Sequence, residues 1–489
     1  MRRATDRFPN ESFDLLIIGG GITGACVARD AARRGLKVAL AERGDFAGAT
    51  SAHNSRLVHG GLRYLRNFEL GLVRESLRER RIWQTIAPHL VHPLPFLVPL
   101  FGAGARARLT LAAGLTLYDL LSYDRNRVPF EGQRMPGHSW LGAAEARAIE
   151  PILDSPGLSG AFAYYDAQMH PEQLALACLI DAGAHGAALA NYVEAESLIL
   201  GGGRAQGARL RDRMTGTAFE IRAKATLVAA GPWADIFLRR ALDHPPSHKL
   251  LRSKGIHLVV PAMTRGHALT VAAEHGHFFV LPWGSGHTLL GTTDTAFTGD
   301  PDHVGVSETD IAGFLAFVNA HLANARLSRA QVQHFYAGLR PLVDDGSGDT
   351  YGASRRAELV DHAKDDGVDG LFSAIGGKWT TSRHLAETVV DRLVERPGIK
   401  ADRCETARRP LPVVPADALA PSVRRAVQEH MALTLEDVVM RRLELGLTGP
   451  APVAAVDEVS RVMAEALHWS EAHRQDQVAG LAHLYETVP

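Results

Sequence analysis

Residues 13–42 leave the chain little choice of fold. Residues 13–18 (FDLLII) form a short apolar run of the kind that becomes a buried strand. It enters Gly19-Gly20-Gly21-Ile22-Thr23-Gly24, which sets glycine at all three positions of G-x-G-x-x-G. An Ala-rich helical pattern runs from Ala25 to Arg34 and stops at Gly35, and a second apolar run, 37–41, ends in the acid Glu42. Strand, helix, strand and acid in this order within about 30 residues separate a dinucleotide-binding fingerprint from a glycine-rich turn. Gly19 makes the tight turn, Gly21 lets the backbone approach a pyrophosphate, and Gly24 lets the helix lie close on the strand. The helix N-terminus then faces the phosphates, and Ile22 and Thr23 of the turn before it are counted among the cofactor-binding residues. Glu42 is placed to accept hydrogen bonds from ribose hydroxyls.

The fingerprint by itself serves NAD or FAD. Its place near the start of a long chain favours a flavoprotein, because the remaining residues must fold around the same nucleotide. At 489 residues, two or three domains are expected. A net charge of −1 gives no global pull towards nucleic acid. The three cysteines, Cys26, Cys178 and Cys404, lie far apart with no C-x-x-C, which argues against a zinc site or disulfide framework and suits a reducing compartment. No signal-peptide pattern and no spanning apolar stretch is present, so the expected location is cytoplasmic, or peripheral on a membrane surface.

After Glu42 and Arg43 comes a small-residue loop. Thr50 and Ser51 there can bond phosphate oxygens and Arg56 can neutralise them; the alternative is a helix cap followed by an ordinary amphipathic helix. Gly60-Gly61 lets backbone press against a flat ring, and Arg63 and Tyr64 follow where a substrate would meet it. Thr50-Ser51-Ala52-His53-Asn54-Ser55-Arg56-Leu57-Val58-His59-Gly60-Gly61-Leu62-Arg63-Tyr64-Leu65 resembles the signature of the FAD-dependent, quinone-linked glycerol-3-phosphate dehydrogenases. Ala230-Gly231-Pro232-Trp233, Lys254-Gly255-Ile256-His257, Gly291-Thr292-Thr293-Asp294, Gly338-Leu339-Arg340-Pro341 and Gly376-Gly377-Lys378-Trp379-Thr380-Thr381 resemble further motifs of that family. The resemblance covers roughly residues 13–390.

It implies an α/β fold: a Rossmann-like FAD-binding domain, an antiparallel-sheet substrate domain of the glutathione-reductase/D-amino-acid-oxidase type, and a C-terminal helical domain. The FAD-binding part is expected in three pieces, 13–85, 151–250 (with a hairpin excursion) and 346–400. A substrate or cap region falls at 86–150, the substrate sheet at 251–345 and the helical domain at 410–489. The expected cofactor set adds Arg43, His59, the Val193 backbone beside the adenine, Gly231, Gly376, Gly377, Lys378 and Thr380 to the residues above. Gly376-Gly377 would bring a second helix N-terminus to the flavin.

Arg74, Arg78, Arg80 and Arg81 lie in a helical pattern over 72–86, and Pro88, Pro93, Pro95 and Pro99 are expected to break residues 88–99 into turns. Arg106 and Arg108 precede an apolar stretch at 109–118. That pattern suits a membrane-surface helix, or equally a core helix with snorkelling arginines. Histidines 257, 267, 275, 277 and 287 are dense, yet a metal would need several in one fixed geometry, and no metal is expected. Pro410, Pro412, Pro415 and Pro421 mark a linker, and Thr434 is expected to cap a helix over 434–442.

A flavin dehydrogenase acting on an alcohol needs a held ring, a proton acceptor and an anchor for the rest of the substrate. By resemblance Arg63, Arg340 and Lys378, with Tyr64, converge over the flavin and hold a phosphate. Arg355 is a fourth cation, and His257, or Arg340 acting electrostatically, assists loss of the hydroxyl proton. Glycerol 3-phosphate would give dihydroxyacetone phosphate, with a quinone as acceptor at the inner face of the membrane. A homodimer and no nucleic-acid partner complete the expectations. His170-Pro171 departs from the family's acidic pair, and this keeps open an amine or amino-acid oxidase; a non-catalytic FAD-binding relative is the third reading.

Overall fold

The computed structural model describes residues 1–489 apart from 103, 243, 274–275 and 345–356, and apart from the side chain of Arg66. Arg355 and His275 therefore lie outside the described residues. β1 (Ser12–Ile18), α1 (Ile22–Arg33) and β2 (Val38–Ala41) form the unit read from the fingerprint. Then come β3 (Leu57–Val58), α2 (Leu70–Ile86), β4 (Val91–Phe101), α3 (Ala105–Leu121), β5 (Ser139–Gly142), α4 (Ala143–Ile149) and β6 (Leu158–Met169). The chain returns through α5 (Pro171–Ala184), β7 (Ala188–Ala190), the antiparallel β8 (Val193–Gly201), β9 (Arg204–Asp212) and β10 (Ala218–Val228), and α6 (Ala234–Ala241). β11 (Leu250–Pro261), β12 (Ala268–Ala273), β13 (Gly276–Trp283), β14 (His287–Gly291), β15 (Thr295–Ala296), α7 (Glu308–His321) and β16 (His334–Val343) come next. β17 (Ala357–Asp361), α8 (His362–Asp365), β18 (Leu371–Gly376) and α9 (Ser382–Val394) precede the C-terminal helices α10 (Leu419–His430), α11 (Val453–Leu467) and α12 (Glu471–Gly480).

Two sheets result. The first runs β17-β18-β10-β1-β2-β7, with β18, β10, β1, β2 and β7 parallel and the β8–β9 hairpin attached to β10. Its strands read as unbroken apolar runs because helices cover them. Leu15, Ile17, Val38 and Leu40 pack against Ala25, Ala28, Ala31 and Ala32 of α1, with Leu174 of α5 and Val389 of α9 in the same core. The second sheet runs β15-β11-β14-β13-β12-β4-β6-β3, with β16 on β11 and β5 on β6, and is antiparallel except where β12 meets β4. This is the expected α/β architecture, with the helical domain packed on the second sheet through Val423, Val438, Val459 and Met463.

Three expectations need correction. The prolines do not break 88–99 into turns: Pro93, Pro95 and Pro99 lie inside β4, which pairs with β6 along its whole length. They share one parity, so the positions lacking an N–H face one edge. There β12 pairs only with Phe96 and Leu97, and that edge tolerates proline. β6, read as part of the nucleotide domain, is a strand of the second sheet instead. The helix at 434–442 is a π-helical turn over Asp437–Arg442, although Thr434 Oγ1 does accept from Asp437 N at 3.3 Å as a cap.

Candidate active site

One cleft of about 2640 Å³ is lined by both sheets. At one end stands the glycine turn. A Cβ on Gly24 would sit 2.0 Å from the Gly19 carbonyl oxygen, so α1 lies against the turn as closely as backbone allows. Gly19, Gly21, Ile22 and Thr23 line the cleft there. Ser51 Oγ accepts from Ile22 N at 2.8 Å and thereby caps α1, while Thr50 Oγ1 donates to the Leu339 carbonyl at 2.7 Å and ties this loop to β16. Glu42, at the end of β2, accepts from Gly20 N at 2.6 Å and Gly44 N at 2.8 Å. Burial pushes its carboxyl up against the pull of those N–H groups. Val193 N donates to the Glu42 carbonyl at 2.8 Å, which brings the start of β8 to the same wall. Arg43 stacks on Trp233 at 4.5 Å and pairs with Asp302, joining the nucleotide domain to the loop after β15. Gly231, Gly376 and Gly377, all at positive φ, and Thr380 border the cleft.

These residues fit a flavin dinucleotide. A pyrophosphate needs close backbone approach and free N–H groups at a helix start, and the first turn of α1 supplies both. FAD would be held by the glycine turn, Glu42, the Val193 backbone and the Gly376-Gly377 turn, and it would supply hydride acceptance.

Three residues expected at the cofactor do not reach the cleft; Gly24 is one, packed beneath the turn against Gly19. Arg56 is buried against Glu172 at 2.6 and 2.9 Å with its guanidinium 4.4 Å over Trp283, so its charge is spent within the core. Gly60 is packed under Leu77 and Tyr118, and its N–H is committed to Tyr118 Oη at 2.9 Å and Asp166 at 3.2 Å. His59 and Gly61 do line the wall. Burial, then Lys378, lowers His59 to about 3. His170 also stays out of the cleft: its Nδ1 pairs with Glu444 at 2.7 Å, so the His170-Pro171 departure is a contact to the C-terminal domain.

The other end of the cleft is built from side chains. Tyr64, buried under Gly61, has the Lys378 ammonium 4.4 Å over its ring and the Arg63 guanidinium at 4.9 Å. Lys378 Nζ is buried and has no hydrogen-bond partner among the described residues. Burial lowers it to about 7, with Glu75 pulling upward and Arg63 downward. Arg340, on β16, donates to Ser253 Oγ at 3.0 Å, Thr292 Oγ1 at 2.8 Å and the Thr293 carbonyl at 3.1 Å. This network fixes the guanidinium plane. His257 faces it from β11, stacked on Tyr336 at 4.9 Å, with Nε2 2.9 Å from Ser55 Oγ. Burial and the Arg340 charge hold its pKa well below the usual histidine value, so the ring is neutral. Arg63 with Lys378 over Tyr64, and His257 with Arg340, thus form two pairs that line the same cleft. Ser55, Thr292 and Thr293 sit within the sequence motifs, but their role is not visible there, because their value lies in aiming His257 and Arg340 across strands. Among the described residues no three metal-ligating side chains come together, and no helix is long and apolar enough to cross a membrane.

Comparison with known proteins agrees with this geometry. Residues 14–392 match the family of FAD dependent oxidoreductases, and 351–474 match the C-terminal domain of alpha-glycerophosphate oxidase. A glycerol-3-phosphate dehydrogenase from Synechocystis sp. is 36% identical over 86% of this chain and 76% of its own length. The Mycobacterium leprae glycerol-3-phosphate dehydrogenase is 38% identical over 80% of this chain, which spans 64% of that protein. The glycerol-3-phosphate dehydrogenase from Bacillus halodurans, solved with FAD, superposes with a TM-score of 0.76 at 26% identity, over 98% of this chain and 96% of that one. The chain belongs to the FAD-dependent oxidoreductase family, among its glycerol-3-phosphate dehydrogenases.

Proposed function

We propose that this protein oxidises sn-glycerol 3-phosphate to dihydroxyacetone phosphate and passes the electrons to a quinone. The observation that carries this reading is that three cations, Arg63, Lys378 and Arg340, line the FAD cleft together with a neutral His257. A phosphate dianion meets two guanidinium forks and one buried ammonium. Arginine's planar donors suit a phosphate, and the ammonium gains an acceptor for its hydrogen bonds. Tyr64 holds Lys378 and Arg63 over its ring face and keeps water from them. His257, aimed by Ser55 and Tyr336, takes the hydroxyl proton at a ring nitrogen, and Arg340 steadies the negative charge that builds on that oxygen. FAD held in the cleft would supply the hydride acceptor. Arg355 is kept as a fourth phosphate ligand.

For the acceptor side we place a membrane surface at α3. Leu109 and Leu120 are 69% and 66% exposed, Phe68 stands 84% exposed on the neighbouring segment, and Arg106 and Arg108 flank them. Apolar side chains bounded by arginines suit the interface of an anionic bilayer. Anaerobic mixing of the yellow protein with glycerol 3-phosphate tests the reaction. Flavin bleaching that fails with glycerol supports it; bleaching by amino acids instead would transfer the site to an amine substrate.

A further inference from the structure

The C-terminal helices carry none of the substrate-end residues, yet they reach the nucleotide end of the cleft. Asp45, in the loop after β2, is 6% exposed. Arg442 clasps it through both guanidinium ends at 2.7 and 2.8 Å, and Arg441 Nε adds a third bond at 2.6 Å. The paired guanidiniums hold the Asp45 carboxyl far below the ordinary range despite its burial. A second grip lies beside it: Tyr192 Oη donates to Asp437 at 2.7 Å, and Asn191 Nδ2 donates to Asp45 at 3.0 Å and to the Met431 carbonyl at 2.8 Å.

Both gripped segments belong to the nucleotide site. The Asp45 loop is tied to the glycine turn, since Ala47 N donates to the Gly20 carbonyl at 3.0 Å and Glu42 bonds both Gly20 and Gly44. Tyr192 stands immediately before Val193, and its own N–H donates to the Gly44 carbonyl at 2.9 Å. Glu436 and Arg441 reach the cleft wall themselves. We propose that the π-helical turn Asp437–Arg442 is a clamp whose Arg442–Asp45 and Asp437–Tyr192 contacts position the loops around the adenosine half of FAD, so that the C-terminal domain retains the cofactor and takes no part in substrate recognition. Arg442 and Tyr192 are positioning residues in this scheme, acting through Asp45 and the start of β8. The π-helical turn has a local logic: its wider winding lets the adjacent Arg441 and Arg442 both reach Asp45, with Arg441 also bonding Asp437 at 2.8 Å.

This goes beyond the substrate reading and does not depend on it, because its readout is flavin release. Holoenzyme is diluted in steps, and free FAD is followed by its fluorescence for the natural protein, Arg442→Ala, Arg442→Lys and Tyr192→Phe. The expected result is an FAD Kd raised on the order of tenfold or more for Arg442→Ala. A smaller rise is expected for Arg442→Lys, which keeps the charge and loses the fork, and a few-fold rise for Tyr192→Phe. KM for glycerol 3-phosphate in excess FAD stays within about twofold, as expected where no substrate contact changes. An FAD Kd unchanged in the variants, with only a lowered unfolding temperature, would reduce the clamp to a packing contact and overturn the proposal. A raised KM at unchanged FAD affinity would overturn it too. If Arg442→Ala does not fold, Arg442→Lys and Tyr192→Phe decide alone.

Discussion

The two ends of the cleft are made of different materials. The nucleotide end is backbone: a glycine turn, the first N–H groups of α1, the end of β2, and loops locked by Asp45 and Arg442. Part of it is already braced: Ser51 takes the Ile22 N–H, and Glu42 takes those of Gly20 and Gly44. At the substrate end the builders are long side chains from four distant segments, and one of them, Lys378, is buried with no hydrogen-bond partner among the described residues. A rigid backbone cradle suits a cofactor that stays; cationic side chains suit an anion that comes and goes. Desolvation is what gives those cations their strength, since the same charges in water would count for little.

Substitutions can break this division. At the substrate end, Arg340→Ala should lower kcat/KM for glycerol 3-phosphate by about a thousandfold while flavin content per protein stays full; loss of flavin instead would dissolve the distinction. His257→Ala should slow flavin reduction by about a hundredfold in rapid mixing. An unchanged rate removes His257 as the proton acceptor and leaves Arg340 to act alone. At the nucleotide end, Gly24→Ala places a methyl against the Gly19 carbonyl. It should weaken FAD binding by about tenfold, with KM in excess FAD little changed.

A pH profile sharpens the comparison further. Burial has lowered Lys378 to about 7, so in the free enzyme it is cationic below that pH and loses its charge as pH rises through it. Phosphate monoesters become dianions through about pH 6. Thus kcat/KM should rise to a narrow optimum and then fall above about 7. Bound phosphate lifts the lysine pKa, so kcat should hold to higher pH. A kcat/KM that climbs through 7 would recast neutral Lys378 as the proton acceptor. The smallest effect is expected on α3, where Leu109→Ser should reduce binding to anionic vesicles several-fold in a flotation assay and leave rapid-mixing flavin reduction unaltered.

Much of the nucleotide end was legible in the sequence because it is local. The turn, α1, β2 and Glu42 succeed one another within 31 residues, and each is set by residue size or backbone freedom that travels with the letter. The substrate end was legible only as a resemblance of motifs: Arg63, His257, Arg340 and Lys378 carry no periodicity that says they line one cleft.

The sequence by itself determined the parallel sheet, the glycine turn and a dinucleotide as the cofactor, since short-range sterics and hydrophobic pattern suffice for these. Tertiary structure decided where charge is spent. Arg56 looks like a phosphate ligand until Glu172 and Trp283 close around it, and the His170-Pro171 departure bears on the substrate until Glu444 from the C-terminal domain takes the His170 ring. Pro93, Pro95 and Pro99 look like breakers until β6 pairs along one edge of β4. Arg442, read only as the end of a C-terminal helix, becomes the partner of Asp45 almost four hundred residues away. Burial and ion pairing are properties of the neighbours a fold supplies, and those neighbours come from sequence distances over which no local pattern reaches.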